Sequence, residues 1–266
     1  MKAYLSIFRL RFAVHLQYRA AAAAGFFTQL FFGFIIVMVY QAFYASTTIT
    51  QPMTLAQAVT YTWLGQATFR MQPYNSDTEV VALIRSGNVA YELTRPLSMY
   101  FLWYSRLLAL RTVPTILSGA PLLALTFWLP GGLGWRLPPS PAAGFAWILS
   151  MLLALLLGGA ISNLMTISCL WTIAGDGMQR ILPAVSMILA GMNVPLAYFP
   201  DWSQSLLRAL PFSGLVDTPF RLYLGAVPAA EIAPRILLQV LWTVALVLGG
   251  ILLASRAMRK VVLQGG

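Results

Sequence analysis

The chain has 266 residues, of which 59% are hydrophobic and only 9% are charged. With a mean hydropathy of +0.76, this composition excludes an ordinary water-soluble globular domain and favours a membrane protein. The formal net charge is +10, so nucleic acid is one conceivable partner until the positions of the basic residues are considered.

Residues 1–19 carry two conflicting signals. Apolar and polar residues alternate over 8–18, which is typical of a strand, yet the segment continues into five consecutive alanines without a turn residue. On a helix, Arg11, His15 and Arg19 share one face at four-residue steps. We therefore predict an interfacial helix along the inner membrane surface.

Six apolar segments follow, and each is long enough to cross a membrane, which takes about 20 helical residues. They cover 20–44, 55–74, 101–128, 143–173, 181–199 and 234–255. A transmembrane barrel would show alternating segments of about 10 residues, which these are not. The predicted fold is an all-α membrane protein with six transmembrane helices, in which each span satisfies its own backbone amides.

Two arginines leave the start of the third span open. If the span begins near Phe101, Arg111 lies deep in the membrane at high cost. If it begins near Thr112, both Arg106 and Arg111 lie at the inner surface, where long basic side chains reach water. The cost of a deep charge favours the second alternative.

The basic residues show a strong asymmetry when both termini are placed inside. The inner side then holds Lys2, Arg9, Arg11, Arg19, Arg70, Arg85, Arg95, Arg106, Arg111, Arg180, Arg256, Arg259 and Lys260. The outer side holds Arg136, Arg208, Arg221 and Arg235. This positive-inside pattern predicts cytoplasmic termini, favours contact with anionic membrane lipids and makes nucleic-acid binding a poor second.

The single cysteine, Cys169, lies inside a span, which excludes a disulfide within the chain. The first apolar block is too long and starts too late for a cleavable signal peptide, and it lacks a convincing cleavage site. We therefore expect membrane insertion to use the spans themselves.

The segment 75–98 is a polar island between the second and third spans. Ser76 and Glu79 form a capping-box pattern, which satisfies the free amides of a first helical turn. Gly87 can end that helix, and Asn88 can begin another. The helix would have an apolar face of Val80, Leu83 and Ile84. A short, capped, half-apolar helix outside the bilayer is typical of a docking element.

Residues 200–233 form a long outer segment that is polar enough to leave the lipid core, yet rich in Leu, Phe and Trp. We predict a short helix over 202–210 that breaks at Pro211, and another over 217–224 that ends near Gly225. These pieces suggest a re-entrant helical hairpin, which is tolerated where protein covers its backbone. The alternative is a surface loop with interfacial aromatic residues.

The sequence offers little catalytic chemistry. It has no Gly-x-x-x-x-Gly-Lys-Ser/Thr phosphate loop, and the lone His15 has no partners with which to hold a metal. The serines of the spans have no histidine or lysine partner there, and the six spans contain no acidic residue. We predict no catalytic residue, no metal site and an energy source outside this chain.

Uncharged polar residues within the spans are candidates for a translocation path. We single out Gln29, Gln57, Gln66, Asn163 and Asn193. The alternative is structural, because such side chains usually form hydrogen bonds between helices in lipid. The small residues around Gly158 and Ser162 predict a close helix contact for the same reason.

Together these features resemble the ABC-2 type exporter permeases over nearly the whole chain, as one domain of residues 1–266. The more specific marks are ALIRSGNVAYELTRPLS at 82–98, ALPFSGLVDTPFRLYLG at 209–225 and RKVVLQGG at 259–266. The last two are similar to a bacterial branch of ABC-2 permeases.

The resemblance implies a permease of the bacterial cytoplasmic (inner) membrane. Its partners would be two cytoplasmic ATP-binding subunits, which bind ATP and Mg, and a second permease, identical or homologous. The implied docking residues are Glu79, Val80, Leu83, Ile84, Arg85, Gly87, Glu92 and Arg95. The alternative for this helix is packing on its own membrane domain.

The resemblance also implies that the outer hairpin acts as an extracellular lid, with Pro211, Phe212, Pro219 and Gly225 shaping it. The expected function is export of an amphiphilic or hydrophobic substrate: a drug-like compound, a lipid or a peptide. The alternatives are an ion-coupled carrier and a non-transporting membrane scaffold or assembly protein.

Overall fold

A computed structural model of the chain describes residues 2–93, 96–171 and 176–258. Over these ranges all regular secondary structure is helical, which confirms the predicted all-α class. The helices are α1 Lys2–Leu16, α2 Arg19–Ser46, α3 Leu55–Thr68, α4 Thr78–Arg85, α5 Ala90–Leu93, α6 Met99–Phe127, α7 Pro141–Ser168, α8 Asp176–Leu189, α9 Asp201–Ala209, α10 Asp217–Tyr223 and α11 Ala229–Met258. Short 3₁₀ turns lie at Phe69–Met71, Leu196–Tyr198 and Pro211–Leu215.

Four helices in the described part of the chain are long and apolar enough to cross a membrane: α2, α6, α7 and α11. Helices α3 and α8 have 14 residues each, a length of about 21 Å, which falls short of the ~30 Å hydrocarbon core. Eleven residues of α3 are buried, so protein rather than lipid surrounds most of this helix. The arrangement of six spans with cytoplasmic termini stays a prediction.

The N-terminal segment forms a helix, α1, rather than a strand. The chain breaks at Gln17 and Tyr18, so Arg19 begins α2, and the expected face shared by Arg11, His15 and Arg19 is wrong. Helix α1 packs on α6. The Ser98 amide donates a hydrogen bond of 2.8 Å to the Tyr4 hydroxyl where these two helices meet.

Helix α6 begins at Met99 and continues to Phe127, although Pro114 and Pro121 lie inside it. Both of its arginines are buried, Arg106 with 8% and Arg111 with 2% of its surface exposed. The expectation that they reach water at the inner surface is therefore wrong. Their guanidinium groups bind oxygen atoms of the protein itself.

The fifth apolar segment is shorter than predicted. Helix α8 ends at Leu189, and Gly191 then adopts a φ of +81°, a left-handed conformation that reverses the chain. The predicted span over 181–199 is wrong beyond that point, and Asn193 lies exposed in the connection. Residues 172–173, at the end of the predicted fourth span, lie outside the described residues.

The two short helices of the outer hairpin are confirmed. Helix α9 ends at Ala209, Pro211 begins a 3₁₀ turn, and α10 carries Pro219 in its first turn. The Asp217 amide donates a hydrogen bond of 3.1 Å to the Ala190 carbonyl, which joins the hairpin to the end of α8. The depth of this hairpin in the membrane stays a prediction.

Small residues bring α6 and α7 close to α3 and the turn that follows it. The sequence predicts a close contact around Gly158 but does not single out Gly119. A Cβ atom on Gly119 of α6 would collide with the Ala67 carbonyl oxygen of α3. A Cβ atom on Gly158 of α7 would lie 3.3 Å from the Met71 carbonyl oxygen. Close approach of this kind is typical of membrane helices that pack through van der Waals contact.

Candidate coupling segment and cavities

The polar segment 75–98 enters α4 through a different cap from the predicted one. The Asp77 carboxylate accepts hydrogen bonds from the amides of Glu79 (3.0 Å) and Val80 (3.3 Å), so Asp77 is the N-cap. The capping box at Ser76 and Glu79 is wrong, because Ser76 donates instead to Gln179 Oε1 of α8 at 2.7 Å. A carboxylate at this position also meets the positive end of the helix dipole.

The end of α4 follows the prediction. Helix α4 ends at Arg85, and Gly87 adopts a φ of +75°, which other residues rarely take. The Val89 amide then donates to the Leu83 carbonyl at 3.0 Å, which returns the chain toward α5.

Four charged side chains, Arg11, Asp77, Glu79 and Arg106, form an inner charge cluster. Arg106 of α6 donates to Asp77 Oδ2 and to Glu79 Oε2, each at 2.7 Å. Arg11 of α1 binds both carboxylate oxygens of Glu79, at 2.9 and 2.7 Å. Asp77 and Arg106 are buried, whereas the Glu79 side chain is 61% exposed. The cluster joins α1, α4 and α6.

Two pKa values are shifted at this cluster, that of its member Glu79 and that of the adjacent His15. Hydrogen bonds from Arg11, with a further one from Arg106, lower the pKa of Glu79 to about 2, although partial burial acts in the opposite direction. Glu79 is therefore fully charged at neutral pH. Burial lowers the pKa of His15, and the nearby Arg11 cation lowers it further, so the imidazole is neutral at that pH.

Two of the predicted docking residues face the protein interior. Val80 is fully buried in an apolar cluster that includes Val89 and Trp103. Glu92 is buried and accepts a hydrogen bond of 2.6 Å from the Trp103 indole. This matches the alternative in which the helix packs on its own membrane domain, and we expect Val80 and Glu92 to hold the segment in place.

The remaining docking residues lie partly or wholly on the surface. Leu83 and Ile84 are half-buried, while Arg85 and Gly87 are exposed; Arg95 lies outside the described residues. Tyr91, which the sequence analysis did not single out, is 74% exposed in the same segment. We name the outward side of the segment the coupling face, which comprises Ala82, Arg85, Ser86, Gly87, Asn88 and Tyr91.

An inner cavity of 330 Å³ opens where α2, α6 and the turn after α3 meet. Its lining residues are Gly25, Thr28, Gln29, Phe69, Arg70, Tyr74, Asn75, Leu110, Arg111 and Pro114. Of the predicted path residues, Gln29 lies here.

Arg111 binds the chain where it enters the polar segment 75–98. Its guanidinium donates to the carbonyls of Gln72 and Asn75, the latter at 2.9 Å, and to the Ser162 hydroxyl of α7. The turn that leads into α4 is therefore fixed to both α6 and α7.

An outer cavity of 310 Å³ lies between α3 and the outer hairpin. Gln57 lines it and accepts a hydrogen bond of 2.9 Å from the Thr54 amide at the start of α3. Sequence reasoning missed the charged groups of this cavity. Asp217 is buried, with oxygen–nitrogen distances of 3.7 Å to Arg208 and 3.9 Å to Arg221.

The structure does not bring the five predicted path residues to one site. Gln29 and Gln57 line different cavities, and Gln66 is buried on α3 between them. Asn163 donates a hydrogen bond of 3.1 Å to the Tyr100 carbonyl, which is the structural role weighed as its alternative. Asn193 is exposed outside the cavities described above.

Comparison with known protein families decides the class of this molecule. The family model described as ABC-2 family transporter protein matches residues 30–265. The chain belongs to the ABC-2 transporter family. No curated protein and no solved structure matches it. The matched range includes segment 75–98, the outer cavity, the part of the inner cavity beyond Gln29, and all four membrane-length helices except the start of α2.

Membership of the ABC-2 family confirms the resemblance seen in the sequence. ABC-2 permeases are membrane transport subunits that are not themselves catalytic, and they generally partner with ATP-binding subunits. The ABC-2 family and the four long apolar helices together indicate a multi-pass membrane protein.

Proposed function

We propose that this ABC-2 protein is the permease subunit of an ATP-driven exporter and that ATP-binding subunits dock on its coupling face. The observation that carries the proposal is the set of short polar contacts from segment 75–98 to three other helices. Asp77 and Glu79 bind Arg106 of α6, Glu79 binds Arg11 of α1, and Ser76 binds Gln179 of α8.

These contacts give a route by which movement at the coupling face reaches the membrane helices. The buried Asp77–Arg106 pair and the Glu92–Trp103 hydrogen bond attach the segment to α6 at two points. Breaking a buried pair of charges costs about 3–5 kcal/mol, so the pair resists separation when the helix that carries it moves. A push or pull on α4 would therefore move α6, and with it one wall of the inner cavity.

The proposed complex has two ATP-binding subunits, which hold ATP and Mg, and a second permease, identical or homologous. Helices α2 and α11 expose many large apolar side chains, which suits contact with lipid or with that second permease. We place the complex in the bacterial cytoplasmic membrane and propose an amphiphilic or hydrophobic cargo. The outer hairpin, bent at Pro211 and Pro219, would act as its extracellular lid.

Replacing Tyr91 with Asp tests the docking. Loss of one aromatic contact at the centre of an interface costs about 2 kcal/mol or more, or roughly 30-fold in affinity. We expect the tagged full-length Tyr91→Asp variant, purified from its host, to lose most of the copurifying ATP-binding subunit and ATPase activity. The matched control is Trp202→Asp on α9, where the side chain is 81% exposed and lies outside the coupling segment.

Retention of the full amount of ATP-binding subunit by Tyr91→Asp would refute docking on this face. A purified wild-type complex without any nucleotide-binding subunit would favour the scaffold alternative. Transport that survives ATP depletion but collapses with an ion gradient would favour the ion-coupled carrier.

A further inference from the structure

The charged side chains that the described residues contribute to the inner cavity are all basic. Two of its lining residues, Arg70 and Arg111, are cations, and none of the described residues that line it is acidic. Arginine stays protonated in proteins, so both side chains carry a full charge. Gly25 leaves room for the Arg70 guanidinium, since a Cβ atom there would lie 2.6 Å from Arg70 Nη2.

Arg111 is buried without a carboxylate partner within the described chain. Only neutral oxygens accept its hydrogen bonds: the carbonyls of Met71, Gln72 and Asn75 and the Ser162 hydroxyl. Arg106, in contrast, meets both Asp77 and Glu79. A buried charge is costly unless an opposite charge compensates it, and at Arg111 that compensation is lacking.

Two donors beside the cavity have unused hydrogen-bonding capacity. Within the described residues, neither Arg111 Nε nor the Tyr74 hydroxyl has a hydrogen-bond partner, although both atoms are buried. Both residues line the cavity, together with the polar side chains of Thr28 and Gln29. The site therefore offers several donors and surplus positive charge to one incoming group.

We infer that the inner cavity binds an oxyanion, a phosphate or carboxylate group, through Arg70, Tyr74 and Arg111. The group belongs either to the headgroup of an amphiphile or to a small soluble anion. A volume of 330 Å³ is at the lower end of the range for ligand pockets, which suits a headgroup rather than a whole lipid. The inference goes beyond the proposed function, because binding here does not require an ATP-binding subunit.

Thermal unfolding of the purified full-length chain in a neutral detergent tests the site. Dioctanoyl phosphatidic acid should raise the unfolding temperature in a saturable manner, because a ligand of the folded state stabilises it. Dioctanoylglycerol, which has the same acyl chains without the phosphate, should not. Stabilisation by inorganic phosphate alone would assign the site to a soluble anion, and its absence would assign it to a headgroup. Equal shifts with the two lipids would overturn the inference.

Substitutions of lining residues test whether phosphatidic acid binds in the inner cavity. Tyr74→Phe removes a hydroxyl that has no partner and keeps the ring, and Arg70→Gln changes an exposed side chain, so both should fold. Each should weaken phosphatidic acid binding about tenfold or more, the usual effect of losing a hydrogen bond to a charged group. The controls are Tyr100→Phe, a buried hydroxyl outside the cavity, and Arg9→Gln, an exposed cation on α1. Unchanged affinity in both test variants would contradict the site.

Discussion

Asp77 has two structural roles. Its carboxylate caps α4 and also neutralises Arg106, a buried cation of a membrane-length helix. Glu79, two residues later, binds the same arginine from a solvent-exposed position. Both carboxylates bind Arg106, but Asp77 is buried and Glu79 is exposed. Substituting each one in turn therefore compares a buried ion pair with an exposed one.

Replacing Asp77 with Asn keeps the cap, because Asn is also a favourable N-cap residue, but removes the charge beside Arg106. We expect a loss of about 1.5–3 kcal/mol in unfolding free energy, the range for a hydrogen bond to a charged group, with Glu79 still pairing Arg106. Glu79→Gln is the matched control and should cost no more than about 1 kcal/mol, because water screens this exposed pair. The unfolding temperatures of the two purified variants make the comparison; equal losses would contradict the special role of Asp77.

The residue pattern allowed part of this site to be predicted. The sequence predicts a helix end at Gly87 because a left-handed residue there is usually glycine, and the structure gives Gly87 that conformation. The capping-box pattern favours Ser76, with Glu79 three residues later, over Asp77, although both are favourable N-cap residues and the structure uses Asp77. The contacts of Arg111 had no sequence signal, because any residue can supply a backbone carbonyl. A buried arginine does require a compensating group, and that signal could have led from Arg106 to Asp77.

At the scale of helices, the contact between α3 and α6 depends on a missing side chain. Gly119→Ala places a methyl group against the Ala67 carbonyl oxygen of α3, a rigid backbone atom that cannot move aside easily. We expect a destabilisation of about 1–3 kcal/mol, the typical cost of overpacking. Gly249→Ala in α11 is the control, because in the described part of the chain no atom outside the local helix backbone lies within 4 Å of its added Cβ. That variant should gain up to about 1 kcal/mol from helix propensity. Denaturation of both variants in detergent measures the change in unfolding free energy, which should be a loss for Gly119→Ala and a gain for Gly249→Ala. Equal changes would contradict the close packing at Gly119.

Helix boundaries were predicted well where proline or glycine marks them. The short helices α9 and α10 agree with the sequence to within a residue, because Pro211 and Gly225 end them. The break between α1 and α2 was missed, since Gln17 and Tyr18 are not turn residues and tertiary packing on α6 sets the angle. Local propensity is a weak guide wherever packing decides the geometry.

For the whole molecule, the two cavities lie near opposite ends of α3. Gln57, near the start of α3, lines the outer one, and Arg70, just after its end, lines the inner one. The helix and the turn between these two residues span roughly 20 Å, which is about two thirds of the ~30 Å hydrocarbon core. If α3 crosses the membrane as predicted, the inner cavity opens to the cytoplasmic half and the outer cavity to the other.

Cysteine labelling tests that orientation directly. The single native thiol, Cys169, is buried, and Cys169→Ser provides a background without it. Ser86 on the coupling face and Thr50 between α2 and α3 are both exposed, so a cysteine at either position should react readily. Because basic residues concentrate on the side of the coupling segment, we expect Ser86→Cys to react with an impermeant maleimide only after the cells are opened. Thr50→Cys should react in intact cells. The reverse pattern would invert the topology and place the coupling face where no cytoplasmic ATP-binding subunit reaches it.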